Sequence, residues 1–324
     1  MTAPPVRFRD RSITLGNGSV GENIDISSAS PSNYYQVLSL AADMARVTLD
    51  GKLFLPPGFA RGPLPLVIVV PGSLGVVASH LAHAEAITGA GIAALVLDPL
   101  GARGIGSTVG DQTQFSFAAS AYDVLAAWQA VGARAEIDGS RVGAQGHSRG
   151  GSAVLTAATR RFADRVVGEA RGLRSVLAAY PWSGHQFLNP GVGDTEIRIL
   201  MGDRDDWCSP MQVQGHVQAI RLAGGSVSLR LFAGAAHGFD RGTPHRRIDE
   251  AAVSPAAPTA YIADDGAFIH PLSGPEPRLR DRDLMVYALK SGYGVKGATI
   301  GGRSDEAELF RADMIAYWRR TLLN

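Results

Sequence analysis

The sequence predicts an α/β fold, a mostly parallel central sheet with helices on both faces. Three observations carry that expectation. Short β-branched runs alternate with helix-patterned stretches along most of the chain, the order expected of strand–helix crossovers. Two of the runs, Leu64 to Val70 and Ile92 to Leu97, are apolar without alternation, as strands buried on both faces are. In a third place, Val142 to Gln145 reads as a strand that passes through the sharp turn Gly146-His147-Ser148-Arg149-Gly150 into a helical stretch, Ser152 to Arg161.

Taken in order, residues 1–40 are rich in Gly, Ser, Asn and Pro and form an N-terminal extension with little periodicity. Within it Gly16-Asn-Gly18-Ser-Val-Gly21 matches a dinucleotide-binding spacing. The polar, serine-rich stretch that follows, Glu22 to Ser32, lacks the helical period such a site requires, so a loop is expected and no cofactor. Residues 45–55 alternate around Asp50-Gly51, the signature of a hairpin turn. Helices are expected over Ser79 to Thr88, Phe115 to Val131 and Met211 to Leu222, with a closing amphipathic helix from Leu309 to Leu322. Further strands are expected over Ser175 to Tyr180, Arg198 to Met201 and Ser226 to Phe232. Residues 241–304 break the alternation and carry six prolines. This insertion is either surface padding, the preferred reading, or a partial lid.

Composition narrows the function. An apolar fraction of 45% supplies a large core, so the 324 residues read as one domain, with residues 305–324 as its closing helix. A net charge of +1 gives no electrostatic ground for binding nucleic acid or an anionic membrane. Met1 to Asp10 lacks the apolar core of a signal peptide, and the run Leu64 to Ala78 is broken by Pro71, Gly72, Ser73 and Gly75. A cytoplasmic protein that does not enter a membrane is expected. The single cysteine, Cys208, excludes an intrachain disulfide and suits a reducing compartment. His80 and His83 share a helical face, but the sequence offers no H-E-x-x-H pattern and no third ligand nearby, so no metal is expected.

With 39 glycines in the chain, a bare G-x-S-x-G arises readily by chance, and its surroundings must decide. Strand, turn and helix are the setting in which the motif exposes a nucleophilic serine. Glycines two before and two after Ser148 leave room for the tight bend. A serine hydroxyl needs a base to take its proton, and the base needs a carboxylate to hold it. Downstream, one strand runs into Asp203, Asp205 and Asp206, and the next into Ala233-Gly-Ala-Ala-His237. That gives serine, acid and histidine in order, each just past a strand's carboxyl end.

Gly146-His-Ser-Arg-Gly150, Gly202-Asp-Arg-Asp-Asp-Trp207 and Ala236-His-Gly-Phe-Asp240 resemble the dienelactone hydrolase family, as do Asp98-Pro-Leu-Gly-Ala-Arg103-Gly and Tyr180-Pro-Trp182. The resemblance covers about residues 44–240 and the last helix. It implies an α/β-hydrolase fold and cofactor-free hydrolysis of carboxylic esters or lactones. By position it makes Ser148 the nucleophile, Asp205 the orienting acid and His237 the base, leaving Asp203 and Asp206 solvated or bracing the turn. The backbone N–H groups of Ser73 and Arg149 would bind the oxyanion, with Leu74 in place of Ser73 as the other choice. The sequence departs from the family in using a serine where dienelactone hydrolases proper use a cysteine. Cys208 then reads as a packing residue, and the expected substrate is a small ester rather than a dienelactone.

Leu74, Trp182, Trp207 and Phe239 are candidates for the substrate pocket. Arg103 would meet either a substrate carboxylate or, preferably, a nearby acid. Two rival functions remain at this level: an acyltransferase or amidase with the same machinery, and a non-catalytic ligand-binding homologue. The sequence does not distinguish a monomer from a homodimer.

Overall fold

Strand–helix alternation becomes an eight-stranded sheet in the computed structural model, which describes residues 7–60 and 62–324. The elements run β1 (Glu22–Ala29), α1 (Tyr34–Ser39), β2 (Arg46–Phe54), β3 (Leu64–Val70), α2 (Ala78–Gly89), β4 (Ala93–Asp98) and α3 (Phe117–Gly132). They continue with β5 (Ile137–His147), α4 (Arg149–Ala158), α5 (Arg160–Val167), β6 (Ser175–Ala179), β7 (His185–Phe187), β8 (Glu196–Gly202), α6 (Pro210–Leu222) and β9 (Val227–Phe232). The sheet order is β1-β2-β4-β3-β5-β6-β8-β9. From β4 to β9 every pairing is parallel, and β2 is antiparallel to both of its neighbours. The expected α/β class holds.

Strand β5 shows how two faces are covered. Side chains alternate along a strand, so Gly143, Gln145 and His147 point one way and Gly146 the other. Gly143 faces Trp318, whose ring leaves no room for a Cβ there, and Gln145 accepts from the indole N–H of Trp318 at 3.0 Å. His147 lies against His80 and His83 of α2. Gly146 faces the first turn of α4. One layer of helix is therefore α2 with α8 (Ser304–Trp318), and the other is α4 with α3 and α5. Strands β3, β4 and β6 are buried along nearly their whole length, as their unbroken apolar runs require.

Two expectations at the N-terminal side are corrected. Residues 45–55 are not a hairpin. Asp50 and Gly51 sit mid-strand in β2, paired with Asp25 and Ile24 on one side and with Asp98 and Leu97 on the other. Asp50 is tolerated there because Arg7 donates to it from Nε at 2.7 Å, and Gly51 because a Cβ would meet Ile26 at 2.9 Å. The extension, in turn, is part of the sheet: Glu22–Ala29 forms its edge strand, with Ile24, Ile26 and Ser28 turned inward. Residues 16–21 lie in a turn that precedes this strand, with no helix after it, so the dinucleotide motif has no βαβ setting.

Residues 241–304 also carry structure. They form β10 (Arg246–Val253), β11 (Ala260–Ile262), β12 (Phe268–His270), β13 (Gly274–Glu276), α7 (Asp281–Lys290) and β14 (Val295–Ile300). β10 pairs with β14, while β11, β12 and β13 extend a small sheet from β7. Among the described residues, no helix is long and apolar enough to cross a membrane.

Arg103 pairs with an internal acid. Its guanidinium donates to Asp123 at 2.7 and 2.9 Å and to the Ala29 carbonyl at 2.9 Å, while Ser28 Oγ donates to Asp123 at 2.6 Å. The pair ties β1, the loop after β4 and helix α3 into one buried knot. Removing one partner strands a buried charge. Asp123→Ala is therefore expected to lower the unfolding free energy by about 3–5 kcal/mol in a urea titration. A loss below about 1 kcal/mol would show that the knot holds nothing together.

Candidate active site

Ser148 sits where β5 ends and α4 begins, with φ +55° and ψ −117°. A non-glycine residue is rarely found there, and the conformation costs on the order of 1–3 kcal/mol. The surroundings enforce it. Ser148 N–H donates to the Ala179 carbonyl at 2.9 Å, and Ser152 N–H donates back to the Ser148 carbonyl at 3.1 Å. A Cβ on Gly146 would strike the Gly150 carbonyl, and one on Gly150 would strike the carbonyls of Val70 and Pro71. The glycine spacing is thus a packing requirement.

His237 follows β9 and Asp205 follows β8, so both arrive from adjacent parallel strands. His237 Nε2 lies 3.0 Å from Ser148 Oγ, and His237 Nδ1 lies 2.8 Å from Asp205 Oδ2. A carboxylate only accepts, so Nδ1 carries the hydrogen and Nε2 is free to accept from the serine. Asp205 Oδ1 accepts from the N–H groups of Trp207 and Cys208, both at 2.8 Å, which fixes its carboxylate plane. Trp207 stacks on the His237 ring at 5.0 Å, and Tyr180 meets it edge-on at 4.7 Å. All three members are buried.

The three acids after β8 have distinct positions. Asp203 accepts from Gly234 N–H at 2.7 Å and braces the turn. Asp206 accepts from Thr299 N–H at 2.8 Å and from Thr299 Oγ1 at 3.0 Å, which pins β14. The same strand end holds the histidine: Gly301 N–H donates to the His237 carbonyl at 2.8 Å.

The turn after β3 abuts the serine. A Cβ on Gly72 would lie 3.0 Å from Ser148 Cβ and 2.9 Å from the His147 carbonyl, so the backbone of Ser73 approaches closely. Arg149 is the first residue of α4, where backbone N–H groups have no intrahelical acceptor. Among the described residues neither the Ser73 nor the Arg149 N–H donates a hydrogen bond.

Ser73, Ser148 and Arg149 open onto a cavity of about 310 Å³. Trp182 and Trp207 line it, as expected. Leu74 and Phe239 do not: Leu74 packs against the core, and Phe239 is fully buried against Phe232 and Tyr180. Both follow site positions in sequence, but the chain turns their side chains inward. The padding reading of residues 241–304 is overturned, since Val253, Pro258, Ile269, Leu284 and Tyr293 form much of the cavity wall.

Other contributors carried no signal in the sequence. The Arg149 guanidinium lies between the rings of Phe115 and Phe117, 4.2 and 4.0 Å from their centroids. It donates to the carbonyls of Gln112 and Phe115 at 2.9 and 2.5 Å. Burial lowers it to about 10, so it stays charged while fixing the loop that forms one wall. His83 meets His147 and Asp240 although the sequence offers His80 and His83 no third ligand. The Gln145 amide, oriented by Trp318, donates to His83 Nδ1 at 3.2 Å and to His147 Nε2 at 3.0 Å. The opposite ring nitrogens then carry the hydrogens: His147 Nδ1 donates to the Tyr180 hydroxyl at 3.0 Å, and His83 Nε2 faces Asp240 Oδ2 at 3.5 Å.

The sequence model of the dienelactone hydrolase family matches residues 49–260, about two thirds of the chain. The chain belongs to the dienelactone hydrolase family. Among solved structures it is similar to the protein m3DLH, at 16% identity and a TM-score of 0.52, over 84% of this chain and 95% of that one. A dienelactone hydrolase-like promiscuous phosphotriesterase from metagenomic libraries is 18% identical, over 68% of this chain and 84% of that one, with a TM-score of 0.48. The esterase Est2 of the planctomycete Thermogutta terrifontis is 17% identical, over 65% and 86%, with a TM-score of 0.47. At these identities the likeness to m3DLH concerns the fold. No curated protein sequence matches the chain.

Within this family member Cys208 lies beside Ser148 but is buried, and desolvation followed by the charge of Asp205 holds its thiol well above the usual range. A protonated, enclosed thiol is a poor nucleophile. Iodoacetamide at about pH 8 should leave Cys208 unmodified in the folded protein and alkylate it in urea, read by intact mass. Ready alkylation of the folded protein would mean that the thiol is accessible and ionised.

Proposed function

We propose that the protein is a serine hydrolase that cleaves carboxylic esters or lactones through an acyl-enzyme. The observation that carries this is the unbroken line from Asp205 through His237 to Ser148, with bonds of 2.8 and 3.0 Å. A binding protein has no need for a serine held at a strained φ with a base aimed at its oxygen.

In the proposed sequence His237 Nε2 takes the Ser148 Oγ proton as Oγ bonds to the substrate carbonyl carbon. The carbonyl oxygen becomes an oxyanion, bound by the N–H groups of Ser73 and Arg149. Asp205 holds the imidazolium that forms. The tetrahedral carbon collapses, the C–O bond to the alcohol breaks, and the leaving oxygen takes the proton from Nε2. Water then repeats the steps on the acyl-enzyme, its proton passing to His237 and back to Ser148 as the acid departs. Trp182 and Trp207 give the pocket apolar walls suited to an acyl or aryl group.

A second reading, acyl transfer to an alcohol or amine, draws on the cover that residues 241–304 place over the cavity, since excluding water favours another nucleophile. Product analysis with added alcohol or amine separates the two.

Turnover of p-nitrophenyl acyl esters tests the proposal. Ser148→Ala and His237→Ala are expected to remove nearly all activity while the proteins fold normally, and Asp205→Asn to lower kcat by about 10²–10⁴-fold. Asp203→Asn and Asp206→Asn should retain most of it. Wild-type activity equal to that of Ser148→Ala, together with no labelling by a fluorophosphonate, would end the hydrolase reading.

A further inference from the structure

The cavity has a second polar pole, built from residues outside the serine, histidine and aspartate. Asp281, the first residue of α7, lines the cavity and is 7% exposed. Its Oδ2 accepts from Phe117 N–H at 2.7 Å. Its Oδ1 is buried and, among the described residues, accepts no hydrogen bond. His185 Nδ1 lies 3.8 Å from it, too far to bond, and that nitrogen already lies 3.4 Å from the Tyr34 hydroxyl. A buried carboxylate oxygen without a donor is costly, on the order of 1–3 kcal/mol or more, so one that lines a cavity calls for a donor from whatever occupies that cavity.

The neighbourhood narrows what that ligand group is. Burial raises the Asp281 carboxyl to about 6, so near neutral pH it is an anion and only accepts. Arg149 lines the same cavity as a fixed cation, with no carboxylate of the described residues at ion-pair distance. Its charge already offsets that of Asp281, and a second cation would face repulsion from it. Burial holds His185 down to about 3, so it is neutral. Phe117 and Trp182, stacked at 4.4 Å, supply apolar surface in the same cavity. An uncharged donor on an apolar arm matches all of these groups.

We infer that Asp281 Oδ1 is a substrate-recognition atom, and that the substrate is an ester whose apolar arm carries a hydroxyl group that donates to it. This rests on the hydrolase reading for the reaction but not for the binding. Asp281 lies beyond residues 49–260, the part of the chain that the family model matches.

The test separates binding from turnover. Methyl esters of hexanoic and octanoic acid, hexyl acetate, and the forms of each ending in hydroxyl or methoxy are bound to Ser148→Ala by calorimetry and turned over by the wild type. On at least one arm, the hydroxyl-terminated ester is expected to bind about tenfold tighter than its methyl and methoxy counterparts. In Ser148→Ala/Asp281→Asn the amide oxygen keeps the Phe117 bond and turns its NH₂ to the cavity. The preference for hydroxyl over methoxy should then fall to about one. Circular dichroism confirms folding of the variant, and the comparison in the Asp281-containing protein stands without it. Equal binding of all three end groups on both arms overturns the subsite. A hydroxyl preference in binding with no Ser148-dependent turnover of any ester supports the subsite and removes the hydrolase reading instead.

Discussion

Everything near the site depends on one backbone constraint, the positive-φ conformation of Ser148. It costs on the order of 1–3 kcal/mol, and it persists because β5, α4 and the turn after β3 approach too closely for any other path. Gly146, Gly150 and Gly72 are the places where that closeness is absorbed. The same bend puts the serine oxygen in front of His237 and the start of α4 beneath it. Parallel strands then deliver the histidine and the acid, because β8 and β9 end on the same edge of the sheet as β5.

Much of this was legible in the sequence, and for identifiable reasons. Buried parallel strands are written as unbroken β-branched runs, so Leu64–Val70 was readable to the residue. The serine, acid and histidine follow strand ends, and Asp205 rather than Asp203 or Asp206 is the acid that meets the imidazole. What was not legible depended on distant partners. Asp50-Gly51 has the local chemistry of a turn, and only Arg7 and Ile26, tens of residues away, make it a strand. Glu22–Ala29 alternates, but with serine or aspartate in three of its eight places, and its inward Ser28 is explained by Asp123. Asp281 looks like an ordinary helix-opening acid in a proline-rich stretch. Its burial against Phe117 comes from the meeting of the first residues of α7 and α3. Phe239 and Leu74 show the converse: adjacency in sequence to a site residue does not turn a side chain toward the site.

A chain of buried polar residues runs beneath the site. Tyr180 donates to Asp240 at 2.7 Å and meets the His237 ring, while His147, Gln145 and Trp318 continue the chain to the last helix. Hydrogen-bonded networks of this kind hold the groups they join, and among the described residues only Asp240 Oδ2 in this network accepts no hydrogen bond. His237 therefore rests on a floor fixed to α8, and Asp205 on its own turn.

The end of residues 241–304 is bonded to the very residues it shelters, Gly301 to the His237 carbonyl and Thr299 to Asp206. A cover built this way cannot be exchanged as a detachable module. Replacing the stretch that carries α7 would recast which molecules fit, whereas cutting into residues 299–301 would loosen the imidazole itself. The cavity wall and the hold on the imidazole share one ribbon, and the border between them falls within β14.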